Sequence, residues 1–357
     1  MISVTFEVKT QDRRYPVCVG QNLLDRLGDS LVDTVDRVFI LTDDVLSELY
    51  LEQLLRSLNK AGIESVTRIL QAGESLKTLE TASAMYDFLL DNLASRSDTI
   101  VALGGGVVGD LAGFVASTFK RGMRLMQVPT TLLAQVDSAI GGKTGVNLPA
   151  GKNLVGTFYQ PHAVVVDVCT LKTLADVDFA AGLAEVVKYG VIMDQDLLEI
   201  LVSNKDEIVR REPESLAIII ERCLRHKARV VEEDEKEEGR KRAVLNYGHS
   251  IGHAIETCSG HNMLHGHAVA IGMVEEARFA VRSGFLDNQS LELLISVLSE
   301  FNLPTEIPPN IDQSELQVIM KQDKKVRRGQ LTLPVLVELG RTEIMTVESR
   351  YLRTGGR

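Results

Sequence analysis

Two rhythms divide the chain. Through the first half, short β-branched runs alternate with stretches whose apolar residues recur every three or four positions. At the start, Val4, Phe6 and Val8 alternate with Thr5, Glu7 and Lys9. That pattern predicts a half-buried strand, not a leader with an apolar core. RVFILTDD (37–44) and TIVALGGG (99–106) predict buried strands ending in loops, and RLMQVPTTLLAQ and AVVVDV (163–168) predict two more. Between them LYLEQLLRSLNKAG and TLETASAMYDFLLDNLAS carry helical spacing. Strands alternating with helices at this interval predict an α/β domain with a mostly parallel sheet covered on both faces.

From about Asp176 helical spacing dominates, in DQDLLEILVSNKDEIV, ESLAIIIERCLRHKARVVEED, HAVAIGMVEEARFAVRSG and SLELLISVLSEFNL, with Gly284 and Pro304 marking ends. Only LTLPVLVEL and EIMTV near the C-terminus read as extended. The expected domains are therefore 1–175, α/β, and 176–357, mainly α-helical. A length of 357 residues fits two cores better than one. The charge run EEDEKEEGRKR (232–242) reads as a solvated helix end or loop.

Composition narrows the class. A net charge of −10 argues against nucleic acid or an anionic membrane as the main partner. Cys18, Cys169, Cys223 and Cys258 are scattered without a C-x-x-C pair, which fits a reducing, cytoplasmic setting and no thiolate zinc site. No run is apolar enough to span a membrane.

LGGGVVGD (103–110) places Gly104, Gly106 and Gly109 at G-x-G-x-x-G spacing between a strand and a helix. Glycines let backbone N–H groups approach a phosphate, and a helix N-terminus adds positive potential. The usual acid some twenty residues downstream is missing, whereas Asp43 and Asp44 follow an earlier strand. A dinucleotide held by a different strand order and a tight structural turn both fit. A second polar cluster, VPTTLLAQVDSAIGGKTGVNLPAGKNLVG (128–156), sets lysines among glycines: an anion cradle or a solvated surface loop.

Five of the seven histidines, His249, His253, His261, His265 and His267, lie within NYGHSIGHAIETCSGHNMLHGHAVAIGM (246–273). His249, His253 and Glu256 fall on one helix face. Ser250 stands where an H-E-x-x-H protease needs its glutamate, so that reading fails. Catalytic zinc takes three protein ligands and keeps one position open. His265 could return to a shared metal after the break at Gly260, with Glu185 of GLAEVVKYG completing the set and Lys188 one turn on. The alternative is a structural or solvated pair of imidazoles.

Taken in order, GESLKTLE, ALGGGVVGDLAGFVASTFKRG, QVPTTLLAQVDSAIGGKTGVN, GKNLVGTFYQP, GLAEVVKYG, LNYGHSIGHAIE, HGHAVAIGM and DKKVRRG resemble the 3-dehydroquinate synthase family, within the sugar-phosphate cyclases. The resemblance implies an NAD-binding α/β domain, a helical metal-binding domain and an active site in the cleft between them. It implies a lyase that converts the seven-carbon ketoacid phosphate DAHP to 3-dehydroquinate and phosphate in the shikimate pathway. It assigns Glu185, His249 and His265 to a divalent metal, zinc or cobalt, and His253, Lys188, Asp137 and Lys143 to catalysis. Arg121, Asn153, Lys227, Arg242, Asn246 and Lys324 (or its neighbour Lys325) are implied to bind substrate, Arg121 reaching a second subunit of a homodimer. For NAD it implies Asp44, Gly73, Glu74, Lys77, Gly105, Gly106, Val107, Asp110, Thr130, Thr131, Lys152 and Thr173.

Two departures stand out. The family usually has H-G-E where this chain has His265, Gly266 and His267, removing an acid that could tune the neighbouring ligand. DEKEEGRKR is one residue longer than usual, leaving Glu237 and Glu238 as alternatives for one position. The rival readings are another sugar-phosphate cyclase, a metal-dependent polyol dehydrogenase, which would accumulate NADH, and a catalytically silent binding paralogue.

Overall fold

In the computed structural model the chain forms two units, Met1–Leu174 with Leu216–Glu235, and Ala175–Ser215 with Lys236–Arg357. The structure describes residues 3–31, 35, 37–239, 241–260, 262–322, 326–327 and 330–348. Strands and helices are numbered along the chain.

The first unit is built on a seven-stranded sheet of β1 (Ser3–Lys9), β2 (Arg14–Gly20), β3 (Arg37–Asp43), β4 (Glu64–Leu70), β5 (Thr99–Gly104), β6 (Arg124–Pro129) and β9 (Ala163–Asp167). Its order is β1-β2-β9-β6-β5-β3-β4, parallel throughout except where β1 meets β2. Alternate residues of the central strands enter opposite cores. Phe39, Leu41, Ile100 and Ala102 pack on one face with Met85, Leu111 and Val115; Val38, Ile40, Val101 and Leu103 pack on the other with Leu54 and Leu58. The helices supplying these partners are α2 (Glu52–Lys60), α3 (Leu79–Asp91) and α4 (Gly106–Thr118), after the single turn α1 (Asp44–Leu46). The continuous apolar runs of β3 and β5 follow from this two-sided burial.

Three features depart from the sequence reading. β4 was not expected; it lies at the sheet edge and is only partly buried, so it carries no long apolar run. The glycine-rich stretch after residue 142, expected as loop, contains an antiparallel hairpin, β7 (Lys143–Leu148) with β8 (Gly151–Phe158). Leu216–Glu235, inside the expected second domain, packs with the first unit. It does so through α8 (Pro213–Glu233): the Arg225 guanidinium lies 4.6 Å over Phe6, and Glu232 Oε1 accepts from Lys9 N at 2.7 Å. Just beyond, Glu235 is buried and accepts from Gln11 N (2.8 Å) and Gln160 Nε2 (2.9 Å). Those bonds offset its desolvation, so this end of the charge run is not solvated.

The second unit packs α5 (Asp176–Met193), α6 (Gln195–Ser203), α7 (Lys205–Val209), α9 (His249–Cys258), α10 (His265–Arg282), α11 (Asn288–Glu300) and α12 (Gln313–Gln322) with a small antiparallel sheet. That sheet is β10 (Val326–Arg327), β11 (Gln330–Glu338) and β12 (Arg341–Glu348). Backbone-to-backbone contact sets the helix positions. A Cβ on Gly266 of α10 would fall 1.8 Å from the Ala181 carbonyl oxygen of α5, and one on Gly272 would fall 1.9 Å from that of Gly248. Only glycine allows α10 this close to α5 and to the start of α9. No helix among the described residues is long and apolar enough to cross a membrane.

Candidate metal centre and nucleotide loops

Ala181 and Glu185 are one turn apart on α5, and Gly266 seats α10 against Ala181. His265, the first residue of α10, is thereby brought to Glu185, with Nε2 3.7 Å from Oε1. His249, the first residue of α9, presents its own Nε2 3.6 Å from the same oxygen. Ligand atoms of Glu185, His249 and His265 all lie within 4.8 Å of one another. The second nitrogens are engaged too. His249 Nδ1 is 3.1 Å from the Tyr247 carbonyl, which can only accept, so Nδ1 carries the proton and Nε2 offers its lone pair. His265 Nδ1 lies 3.3 Å from Glu256 Oε2, so this nitrogen carries a proton as well.

Glu185 is 1 % exposed, and neither carboxylate oxygen takes a hydrogen bond from the described residues. Lys188 Nζ contacts Oε2 as an ion pair while donating to the Leu245 carbonyl at 2.8 Å. Burial alone would raise the Glu185 carboxyl. The Lys188 ammonium, with His265 and His249, instead holds it well below the usual carboxylate range. Burial, with Lys188 beside it, keeps the His249 imidazole well below its ordinary value and so neutral. Burial also opposes charge on His265, but contacts with Glu185 and Glu256 lift it to about 9. A dry carboxylate short of hydrogen bonds, facing the Nε2 atoms of two imidazoles, is a donor set suited to a divalent cation, which would take the place of the proton that His265 holds between Glu185 and Glu256.

His253 is exposed beside the trio, its ring 5.2 Å from that of His249 and 5.8 Å from that of His265. Arg242 is buried and Asn246 half-buried in the turn leading into α9. His267 is half-buried on α10, and burial lowers its pKa. The carboxylate that meets His265 comes from Glu256 on α9, so position 267 is not its source in this chain. Sequence spacing placed Glu256 on the His249 face but could not reveal its partner across the turn between helices. His261 and Lys324, with Lys325, lie outside the described residues.

In the first unit, β3 and β5 are parallel neighbours with Leu41 opposite Ala102. The acids after β3 and the glycines after β5 therefore emerge at the same sheet end. Strand order reverses there, since β4 lies beyond β3 while β6 lies beyond β5. Such a switch point is where open α/β sheets bind ligands. Helix α4 starts at Gly106 with Gly105 as an N-cap that makes no side-chain bond, leaving its amides for an anion. Val107 lies in its first turn. Asp44 is exposed, its Oδ1 accepting from Val45 N (3.0 Å) and Ala72 N (2.9 Å).

Gly73 precedes Glu74 at φ 118°, a conformation that favours glycine. Glu74 accepts from Asn147 Nδ2 at 2.6 Å. Lys77, 4 % exposed, donates to Asp110 Oδ2 at 2.6 Å and Asn153 Oδ1 at 2.5 Å. Burial raises the Asp110 carboxyl, with Lys77 pulling the other way. Thr130 is buried with an Oγ1 that has no partner among the described residues, and Thr131 caps the next turn by accepting from Ala134 N at 3.2 Å. Lys227 of α8 reaches Asp137 Oδ1 at 2.7 Å. Lys143, Lys152 and Asn153 are exposed on the β7–β8 hairpin. Thr173 is exposed in contact with the Tyr50 hydroxyl, and Arg121 is exposed at φ 62°. Thus the residues named for nucleotide lie in the segments that follow β3, β4, β5, β6 and β9, strands that run parallel, and on the hairpin.

A family model for the N-terminal part of 3-dehydroquinate synthase matches residues 67–181, and one for its C-terminal part matches 182–326. The 3-dehydroquinate synthase of Halorhodospira halophila is 48% identical over 336 residues, 93% of each chain. That of Desulforamulus reducens is 44% identical over 343 residues, 95% of each. Among solved structures, a 2-deoxy-scyllo-inosose synthase complexed with carbaglucose-6-phosphate, NAD+ and Co2+ superposes with a TM-score of 0.90 at 27% identity, covering 99% of this chain and 100% of that one. A 2-epi-5-epi-valiolone synthase from Streptomyces hygroscopicus with NAD+ and Zn2+ bound gives 0.88 at 27% identity, covering 96% of each.

Proposed function

The chain belongs to the 3-dehydroquinate synthase family, and we propose that Glu185, His249 and His265 hold the divalent ion its reaction requires. The chain is a carbon–oxygen lyase that converts DAHP to 3-dehydroquinate and phosphate. The route is transient NAD-dependent oxidation, phosphate elimination, re-reduction and intramolecular aldol closure, with no net redox change. The observation that carries the site assignment is the buried Glu185 carboxylate, short of hydrogen bonds and faced by two imidazoles. When bound, the ion polarises the oxygen at the oxidised carbon and NAD+ accepts the hydride.

The chain's own residues then hold charge and move protons. Lys188, fixed between the Leu245 carbonyl and Glu185, keeps an ammonium beside the centre. His253, exposed next to both ligand histidines, is the group that takes and returns the substrate proton. Arg242 and Asn246 bind substrate from the turn before α9, and Lys324 or its neighbour Lys325 serves the phosphate. In the first unit the Gly105–Gly106 loop and α4 N-terminus receive the NAD pyrophosphate. Asp44 meets the ribose, while Gly73, Glu74, Lys77, Val107, Asp110, Thr130, Thr131, Lys152 and Thr173 shape the loops around it. Asp137, aligned by Lys227, together with Lys143 and Asn153 binds substrate on that unit. The four free cysteines fit a cytoplasmic enzyme, and exposed Arg121 serves a homodimer, reaching the phosphate of the second copy.

Identity of 42–48% to 3-dehydroquinate synthases, against 27% to the other cyclases, supports DAHP over a related sugar phosphate. Incubation with DAHP, catalytic NAD+ and zinc tests it. Phosphate and 3-dehydroquinate form together, NADH does not accumulate, and chelation stops the reaction. Stoichiometric NADH, or no product from DAHP, would overturn it.

A further inference from the structure

The two ligand histidines are held by different acceptors. His249 Nδ1 faces a neutral peptide carbonyl, Tyr247 O at 3.1 Å, within its own chain turn. His265 Nδ1 faces a carboxylate, Glu256 Oε2 at 3.3 Å, from another helix. Glu256 lies on the same α9 face as His249 and His253, so one helix carries a ligand, the exposed imidazole and the acceptor for the second ligand. From this geometry we infer that Glu256 is a positioning residue: it fixes the ring plane and tautomer of His265 so that Nε2 points at the site shared with Glu185 and His249. The inference rests on the metal reading given above.

A carboxylate is the stronger acceptor for an imidazole N–H. It withdraws proton character from Nδ1 and so raises the basicity of Nε2 toward a cation. It also corrects the ring angle, since His265 begins α10 and has no preceding helical turn to restrict it. Glu256 is the carboxylate on the Nδ1 side of this imidazole, opposite the Glu185 contact at Nε2. A competing assignment uses the same atoms: His253, Glu256 and His265 also bring ligand atoms within 4.8 Å of one another and could take an ion of their own.

Cobalt binding distinguishes the two. With Co2+ as probe and a chelator in competition, the wild-type chain binds one ion. Glu256→Ala weakens that affinity roughly 10–100-fold, and Glu256→Gln, which keeps an acceptor oxygen but not the charge, falls between. The visible Co2+ bands shift in both variants while metal-free Glu256→Gln melts like wild type, so altered ligation is separated from lost folding; if the alanine variant fails to fold, the glutamine variant decides. Affinity within about twofold of wild type in both variants would overturn the inference alone. So would a second bound Co2+ that Glu256→Ala removes without weakening the first. No Co2+ binding by the wild-type chain would overturn the metal reading as well.

Discussion

Around the glycine loop, the first unit offers an anion backbone amides and helix polarity; around Glu185, the second unit offers a cation side chains from three helices. The loop's geometry is local, because one strand, two glycines and one helix start suffice to build it. The proposed metal centre is non-local. It exists only because α5, α9 and α10 touch at glycines, and moving one helix by a fraction of an ångström moves a ligand. Side-chain chemistry therefore dominates one site and packing precision governs its reach, whereas the other tolerates side-chain change as long as its backbone keeps its turn.

The sharpest way to break the contrast is Glu185→Gln. It keeps the shape but removes the charge that faces both imidazoles, so steady-state phosphate release falls about a thousandfold or more. Metal content measured by elemental analysis falls with it. Because the exchange strips the buried Lys188 ammonium of its anion, the metal-free variant also melts lower, so metal content is compared at a temperature where both proteins are folded. Retained metal at wild-type affinity would place the ion elsewhere.

In the first unit Lys77→Met is the corresponding test. It leaves Asp110 and Asn153 without their shared cation, loosening the loop from Gly73 and the hairpin together. The NAD+ dissociation constant, measured by calorimetry, rises about 10–100-fold while metal affinity stays unchanged. A fall in metal binding instead would show that the two sites are not independent.

A smaller effect is expected from Gly266→Ala, which probes packing alone. The added methyl meets the Ala181 carbonyl, so α10 must shift from α5 and carry His265 with it. Unfolding in denaturant loses about 1–3 kcal/mol, and metal affinity weakens although no ligand was changed. Stability lost without any change in metal affinity would refute the link between helix contact and ligand placement.

How much was legible follows the same division. The central strands were readable because burial on both faces leaves apolar runs such as Phe39–Leu41 and Ile100–Leu103. β4 was not, because an edge strand needs no such run, and the β7–β8 hairpin was masked by the glycines that let its strands approach. Helical spacing put His249, His253 and Glu256 on one face. It could not say that Glu256 turns toward His265, nor that Glu235 leaves solvent to accept bonds from Gln11 and Gln160.

By itself, then, the sequence determined what is periodic or contiguous: an α/β half, a helical half, a glycine turn at a helix start, and ordered motifs that place the chain in its family. Tertiary structure alone decided which side chains meet. Glu185 and His265 lie far apart in sequence, and their distance is set where the α5 and α10 backbones touch at Gly266. Contacts of that kind depend on the packing of whole helices, and no local pattern of residues encodes them.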